Sequence, residues 1–117
     1  MEFRKPVPFK KIIKFMSEYV KKKVVYKDFC VYSKLWDSDE LTLETICYLD
    51  DYAEITDDNK EIFPQFVQDN NLEFLLMDEL IESVIFNALH QKPDVTDEEI
   101  LKAIQFYNDK DTFIDFK

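Results

Sequence analysis

The spacing of apolar residues divides the chain into a helical start, a middle rich in strands and a helical end. Near the N-terminus, six apolar residues recur at intervals of three and four positions, which places them on one face of an α-helix. These residues are Phe9, Ile12, Ile13, Met16, Tyr19 and Val20. The opposite face of the predicted helix carries Lys10, Lys11, Lys14, Lys21 and Lys22. We interpret this basic face either as a contact for phosphate or membrane, or as a solvated surface that balances the acidic remainder of the chain.

The period of the pattern shortens between residues 24 and 49. The stretches "KVVYKDFCVYSK" and "LTLETICYL" are rich in β-branched and aromatic residues, and the polar "DSDE" separates them. This composition is typical of strands, so we predict two or three of them here. The acidic "DDYAEITDDNKE" is predicted as a loop and "FPQFVQDNN" as one helical turn that ends at Asn70 and Asn71. "LEFLL" is predicted as another short strand.

Two helices are predicted in the last third of the chain. Six apolar residues from Met77 to Ala88 repeat at helical spacing, with Asp78 as a predicted N-cap and Pro93 closing the segment. Thr96 and Glu99 predict a capping box for the second helix. The tail "DTFIDFK" carries three apolar residues, and we expect it to dock on the core.

These elements predict an α+β fold in a single globular domain over residues 1–117. We expect a small, mainly antiparallel sheet of three to four strands, packed against an N-terminal helix and two C-terminal helices. The length of 117 residues, with 46% hydrophobic and 15% aromatic residues, is ample for one core. No run of about 18 uncharged apolar residues appears, and "MEFRKPVPFKK" lacks the apolar region of a signal peptide. We therefore expect a soluble, cytoplasmic protein.

The formal net charge of −10 is unevenly distributed along the chain. Residues 1–36 contain ten Lys or Arg and three acids, whereas residues 37–61 contain ten acids and one lysine. Residues 62–117 contain twelve acids and four lysines. Because Lys and Arg supply most of the affinity for phosphate backbones, this acidic surface argues against direct binding of nucleic acid. The chain has no glycine, which excludes the phosphate-binding loops that depend on it.

The sequence offers little that could perform catalysis or hold a metal. His90 is the only histidine, and no serine or cysteine motif accompanies it. Cys30 and Cys47 lie in apolar stretches without a CxxC pair, so we expect two buried free thiols. A calcium loop starting at Asp57 fails, because Ile62 replaces the required glycine and Gln68 the required glutamate. We expect no enzyme activity, no metal and no cofactor.

Protein recognition is the function that the middle of the chain favours. Carboxylates alternate with aromatic residues there, and this combination offers charge attraction and apolar anchors to a basic partner. The predicted binding residues are Trp36, Asp37, Asp39, Glu40, Asp50, Asp51, Tyr52, Glu54, Asp57, Asp58 and Glu61. The alternative is a loop that its charge keeps soluble, with Trp36 and Tyr52 folded inward.

Two resemblances extend this interpretation. The segment "HQKPDVTDEEILKAIQFYNDKDTFIDF" resembles the C-terminal part of an uncharacterised family of small bacterial proteins, in its Lys92-Pro93 turn, its Phe106-Tyr107 pair and its "DTFI" ending. The whole chain is similar in character to the immunity proteins of bacterial toxin systems, including contact-dependent growth inhibition. That resemblance implies an antitoxin-like protein, monomeric or weakly dimeric when unbound, that neutralises a basic toxin domain such as a nuclease. It implies neither a membrane nor a nucleic acid as the direct partner.

Two other functions stay open at this point. The chain could be an adaptor domain that self-associates through apolar surface near its C-terminal helices, with Phe86 as a contact because it lies off the main helical stripe. An enzyme would need His90 beside carboxylates in a pocket.

Overall fold

The computed structural model describes residues 2–23, 25–34 and 40–116, which form four helices and six short strands. The strands are β1 (Val7–Pro8), β2 (Cys30–Ser33), β3 (Ile46–Asp50), β4 (Glu54–Ile55), β5 (Glu61–Ile62) and β6 (Glu73–Met77). The helices are α1 (Phe9–Lys22), α2 (Gln65–Asp69), α3 (Asp78–Gln91) and α4 (Asp97–Lys110). No helix among these residues is long and apolar enough to cross a membrane.

Four of the strands form an antiparallel sheet in the order β1-β3-β2-β6. At its centre, Val31 lies opposite Leu49 on one side and Leu76 on the other. Within the ranges that the structure describes, strands β4 and β5 pair only with each other. The predicted α+β fold, with a small antiparallel sheet against one N-terminal and two C-terminal helices, is confirmed.

The larger hydrophobic core lies between one face of the sheet and helices α1, α3 and α4. Helix α1 buries Phe9, Ile12, Ile13 and Met16, as its apolar stripe predicts, and the five lysines of its other face are exposed. The sheet contributes Val31, Leu49 and Leu76 to this core. Helix α3 contributes Ile81, Val84 and Ile85, and helix α4 contributes Ile100, Leu101, Ala103 and Ile104. Burial of these side chains, at about 1.5–3 kcal/mol for each large one, is the main force that holds the helices to the sheet.

A second, smaller core lies on the other face of the sheet. Because successive side chains of a strand point to opposite faces, Cys30 and Tyr32 lie here while Val31 faces the helices. Helix α2 covers this face with Val67, and the Tyr32 ring meets the Phe63 ring edge-on, with 6.1 Å between the ring centres. The single helical turn predicted in this region is confirmed.

A β-bulge interrupts strand β6. Tyr32 lies opposite Phe74 and Val31 opposite Leu76, so Leu75 is left without a partner in β2. As a result Leu75 and Leu76 both pack against the larger core, although they are adjacent in sequence. This explains why "LEFLL" does not alternate as a regular strand would.

The helix ends match the sequence in one case and differ in another. The capping box at α4 is confirmed: the Glu99 N–H donates to Thr96 Oγ1 at 3.2 Å, and the Thr96 N–H donates to Glu99 Oε1 at 3.0 Å. The prediction of Asp78 as an N-cap is wrong, because Met77 holds that position and Asp78 is the first residue of α3. Lys23 and Asp111 close α1 and α4 in the left-handed conformation, where glycine is usual.

The C-terminal tail docks largely as predicted. The Gln91 side chain holds it, since Nε2 donates to the Ile114 carbonyl at 2.8 Å and Oε1 accepts from the Phe116 N–H at 3.1 Å. Ile114 and Phe116 pack against the larger core, whereas Phe113 stays exposed.

The capping box predicts a dependence of stability on acidic pH. Hydrogen bonds from the Lys92 ammonium and the Thr96 N–H lower the pKa of Glu99 to about 2, from an ordinary value of 4.5. A carboxylate whose pKa is lower in the folded state stabilises the fold above its unfolded pKa, and this contribution is lost as the pH falls towards about 2. We expect the stability gap between the protein and Glu99→Gln to be wide at neutral pH and to close across this range. Urea midpoints at several pH values measure it, and a gap that does not change with pH would contradict the assignment.

Candidate functional site

The acidic segment predicted as a loop contains a β-hairpin, so that prediction is wrong for Glu54–Ile55 and Glu61, whereas residues 56–60 form the turn. Glu54 lies opposite Ile62, and Ile55 lies opposite Glu61. At the turn, the Thr56 N–H donates to the Lys60 carbonyl at 2.9 Å, and Asn59 is left-handed with φ of 62°. A three-residue loop whose last residue is left-handed is a common hairpin connection, and asparagine tolerates that conformation. We call residues 54–62 the acidic arm.

Both faces of the acidic arm are open to solvent. Directly opposite residues share a face, so Glu54 and Ile62 occupy one face and Ile55 and Glu61 the other. All four are exposed, including 63% of Ile55 and 47% of Ile62. A hairpin that lay flat on the protein would bury one of the two isoleucines. The arm therefore projects, and it presents two apolar side chains among carboxylates.

The tip of the arm is held by its own side chains. The Thr56 hydroxyl donates a hydrogen bond to the Asp58 carboxylate, and Thr56 Oγ1 accepts from the Lys60 N–H at 3.0 Å. The hydrogen bond from Thr56 is the largest cause of a pKa of Asp58 below its usual range. Asp57 and Asp58 are exposed at this tip, and Lys60 is the arm's one cation. The tip thus offers two carboxylates and the Lys60 ammonium, 3.7 Å from Asp58, in a fixed arrangement, which lowers the entropy lost when a partner binds.

The base of the arm is anchored in the smaller core. The Tyr52 hydroxyl donates to Asp78 Oδ1, and the Tyr32 hydroxyl donates to the Asp51 carbonyl at 2.8 Å. Burial and the neighbouring Asp78 carboxylate raise the pKa of Tyr52 above its ordinary value. Tyr52 was predicted as an anchor for a partner, but its hydroxyl is engaged within the protein. It serves here to fix the arm to the sheet.

Asp78 joins three parts of the chain through one buried carboxylate. Besides Tyr52, it accepts hydrogen bonds from the Tyr26 hydroxyl at 3.1 Å, the Phe29 N–H at 3.3 Å and the Glu79 N–H at 2.8 Å. Its side chain is fully buried. Asp78 thereby links the segment before β2, the base of the arm and the start of α3. The prediction of Asp78 as a helix cap did not include this role.

Asp50 and Asp51, which precede the arm, pair with basic residues from the N-terminal part of the chain. Asp50 is 0% exposed and forms an ion pair with Arg4 at 3.0 Å. Because this carboxylate is buried, it is not available to a partner, and the prediction of Asp50 as a binding residue is corrected. Asp50 Oδ1 accepts from the Asp51 N–H at 2.8 Å. Asp51 is about half exposed and lies 3.1 Å from Lys27 and 3.6 Å from Arg4, so basic neighbours offset its charge.

The structure brings together only part of the predicted site. Glu54, Asp57, Asp58 and Glu61 share the arm, whereas Glu40 lies in a groove beside α4. Trp36, Asp37 and Asp39 lie outside the described residues. Sequence reasoning missed Ile55 and Ile62; the local sign of a hairpin is Asn59 in "TDDNK", because asparagine tolerates the left-handed turn conformation.

The described residues outside the arm include few groups suited to chemistry. No cluster of three or more His, Cys, Asp or Glu side chains in the described ranges could hold a metal ion. Cys30 and Cys47 are buried free thiols, as predicted. Burial raises the pKa of Cys30 to about 11 and that of Cys47 to about 12, so both are protonated at neutral pH and weakly nucleophilic. His90 lies exposed on the last turn of α3.

Comparison with known proteins identifies one family. A family model described as Domain of unknown function (DUF7716) matches residues 9–116, from the start of α1 to the end of the docked tail. This agrees with the predicted resemblance to an uncharacterised family. Searches of curated proteins and of solved structures gave no match.

Proposed function

We propose that this chain, which belongs to the family described as Domain of unknown function (DUF7716), neutralises a basic toxin domain by binding it through the acidic arm. The observation that carries the proposal is the exposure of both faces of the arm, with Ile55 and Ile62 set among four carboxylates. Isolated exposed isoleucines are ordinary on a protein surface. Here the two lie on opposite faces of a projecting, internally braced hairpin, so a cleft that encloses the arm contacts both.

The arm's charge and shape suit a site that has evolved to hold phosphate. Glu54, Asp57, Asp58 and Glu61 outnumber Lys60 four to one, and the whole protein carries a net charge of −10. Complementary charge speeds association, while apolar groups in the middle of an interface slow dissociation. A nuclease lines its active site with cations for the phosphate backbone, so a projecting acidic hairpin is able to enter such a cleft. Inhibition follows from occupation of the cleft and requires no catalysis by the inhibitor.

Capture from a lysate of the source organism tests this function. The tagged protein is the bait, and the matched bait is a charge-neutralised arm with Glu54→Gln, Asp57→Asn, Asp58→Asn and Glu61→Gln. We expect one stoichiometric basic protein on the natural bait at low salt, its loss at moderate salt and a much smaller amount on the variant. Expressed alone, the captured basic protein should arrest growth, and co-expression of the natural bait should restore growth. Equal retention by both baits, or growth that the captured protein does not arrest or that co-expression does not restore, would refute the proposal.

Self-association is the second candidate, and the exposure of Phe86 favours it. This side chain is 63% exposed on α3, away from the acidic arm. An adaptor of this kind would be a stable homodimer that Phe86→Ser converts to a monomer. Size-exclusion chromatography with light scattering separates the two functions, because an arm-dependent inhibitor is a monomer both with and without this substitution.

A further inference from the structure

A groove of about 840 Å³ is lined by the consecutive residues 73–76 of strand β6 and by helix α4. Its apolar surface comes from Phe74 and Leu75 of the strand, Ile104 and Phe106 of the helix, and Ile114 of the tail. Strand β6 is the last in the sheet, and within the described residues no backbone hydrogen bond reaches its outer edge. The groove thus combines apolar surface with backbone groups that are able to pair with another strand.

The rim of this groove is acidic. Glu40, Glu73 and Asp109 line it as exposed carboxylates, and Lys102 is the one cation among the lining residues. An occupant that places positive side chains at this rim and apolar side chains below it is complementary to the groove in both respects.

Side-chain hydrogen bonds hold two walls of the groove in place. Gln105 Nε2 donates to the Leu41 carbonyl at 2.7 Å, which fixes the segment that carries Leu41 and Glu40 against α4. Gln91 fixes the tail that carries Ile114. Walls that are already ordered lose little conformational entropy on binding, so a groove of this kind favours an occupant.

We propose that this groove is a second recognition site, which binds an extended segment of a partner protein that alternates apolar with Lys or Arg residues and pairs with β6. The segment belongs to the same basic partner, so this inference rests on the proposed function. The carboxylates of the arm then raise the rate of encounter, and the groove adds to the isoleucines of the arm in lengthening the lifetime of the complex.

A second copy of this chain is a poorer occupant than a basic segment. Pairing of β6 with its own copy about a twofold axis would bring both acidic rims together, and like charges across an interface oppose association. A basic segment from another protein avoids this repulsion.

Selection from a phage library of random peptides against the intact protein tests the inference. We expect enriched peptides that alternate apolar and basic residues and that shift the amide NMR signals of β6. Binding of the synthetic enriched peptide should weaken about tenfold in Phe106→Ala and in Asp109→Lys, because these remove apolar surface and reverse rim charge. Phe86→Ala and Asp97→Lys are matched controls outside the groove, and we expect less than about a twofold change in them.

Several outcomes would overturn the inference. They are a lack of enrichment, enrichment of acidic peptides, binding that the two groove variants do not weaken, or a homodimer that forms through β6. The variant with the charge-neutralised arm is an independent control, because we expect this protein to bind the enriched peptide as the natural protein does. Failure of peptide selection would therefore reject the groove as a recognition site and leave the proposed function standing. Failure of growth rescue in the capture experiment would reject the toxin-neutralising function.

Discussion

Replacing Asp78 by alanine is expected to lower the free energy of unfolding by about 3–4 kcal/mol. The substitution removes the acceptor for four donors: the Tyr26 and Tyr52 hydroxyls and the Phe29 and Glu79 N–H groups. A buried donor left without an acceptor costs more than the bond itself contributes, and the Phe29 N–H is buried. Since small domains are stable by only about 5–15 kcal/mol, this loss is a large part of the total.

Chemical denaturation of Asp78→Ala beside two matched variants measures this effect. Asp97 is also the first residue of a helix but is exposed, so Asp97→Ala should cost only about 0.5 kcal/mol, through the helix dipole. Tyr52→Phe removes one of the four donors and should cost about 1–1.5 kcal/mol. Equal losses in Asp78→Ala and Asp97→Ala would mean that the buried network contributes little.

Neutralising the four carboxylates of the arm is expected to slow association with the captured basic partner by about 10–100-fold at low salt. The reason is long-range attraction, which falls off over a Debye length of about 8 Å at physiological ionic strength. The association rates of the natural and neutralised proteins should therefore converge as salt is added. Their dissociation rates should differ little, and the free energy of unfolding should stay within about 0.5 kcal/mol, since these residues are exposed.

Stopped-flow or surface-based kinetics over a range of salt concentrations measures these rates. The control neutralises four exposed carboxylates outside the arm, with Glu18→Gln, Asp28→Asn, Asp94→Asn and Glu98→Gln. Both variants change the net charge from −10 to −6, so only their positions differ. Equal slowing by the two would show that overall charge, and not the arm, steers the partner. Replacing Ile55 and Ile62 by serine should instead speed dissociation about tenfold.

The helices were predictable because their information is local. The apolar stripe of α1, with Phe9, Ile12 and Met16, repeats at helical spacing and is buried as expected. The capping box of Thr96 and Glu99 marks the start of α4 within four residues of sequence. Signals confined to neighbouring residues do not depend on the tertiary contacts of the rest of the chain.

The elements that sequence analysis missed depend on partners distant in the chain or on a single backbone conformation. Asp78 meets Tyr26 and Tyr52, which are 52 and 26 positions away, and no periodicity reports such a contact. The bulge at Leu75 exists because β6 pairs with β2, so its irregular apolar pattern has meaning only in the sheet. The arm was hidden because its strands have two residues each and their isoleucines are exposed, which leaves no buried face for a pattern to reveal.

In the candidate site, the sequence indicated the acidic character but not which carboxylates are available. Asp50 and Asp51 lie in the same acidic stretch of sequence as Glu54, and the local composition does not distinguish the three. Asp50 differs because it pairs with Arg4, a residue near the N-terminus that is distant from it in sequence. Availability of a charged side chain is a tertiary property, whereas its presence is not.

The placement of the arm bears on how members of this family could diversify. The arm is connected to the protein through the smaller core, on the face of the sheet opposite to helices α1, α3 and α4. Mutations in residues 54–62 therefore leave the larger core untouched, and selection for a new partner can act on them with little loss of folding. The same separation makes the hairpin a suitable place to graft foreign recognition sequences, with Tyr52 and Phe63 kept as the fixed ends of the insert.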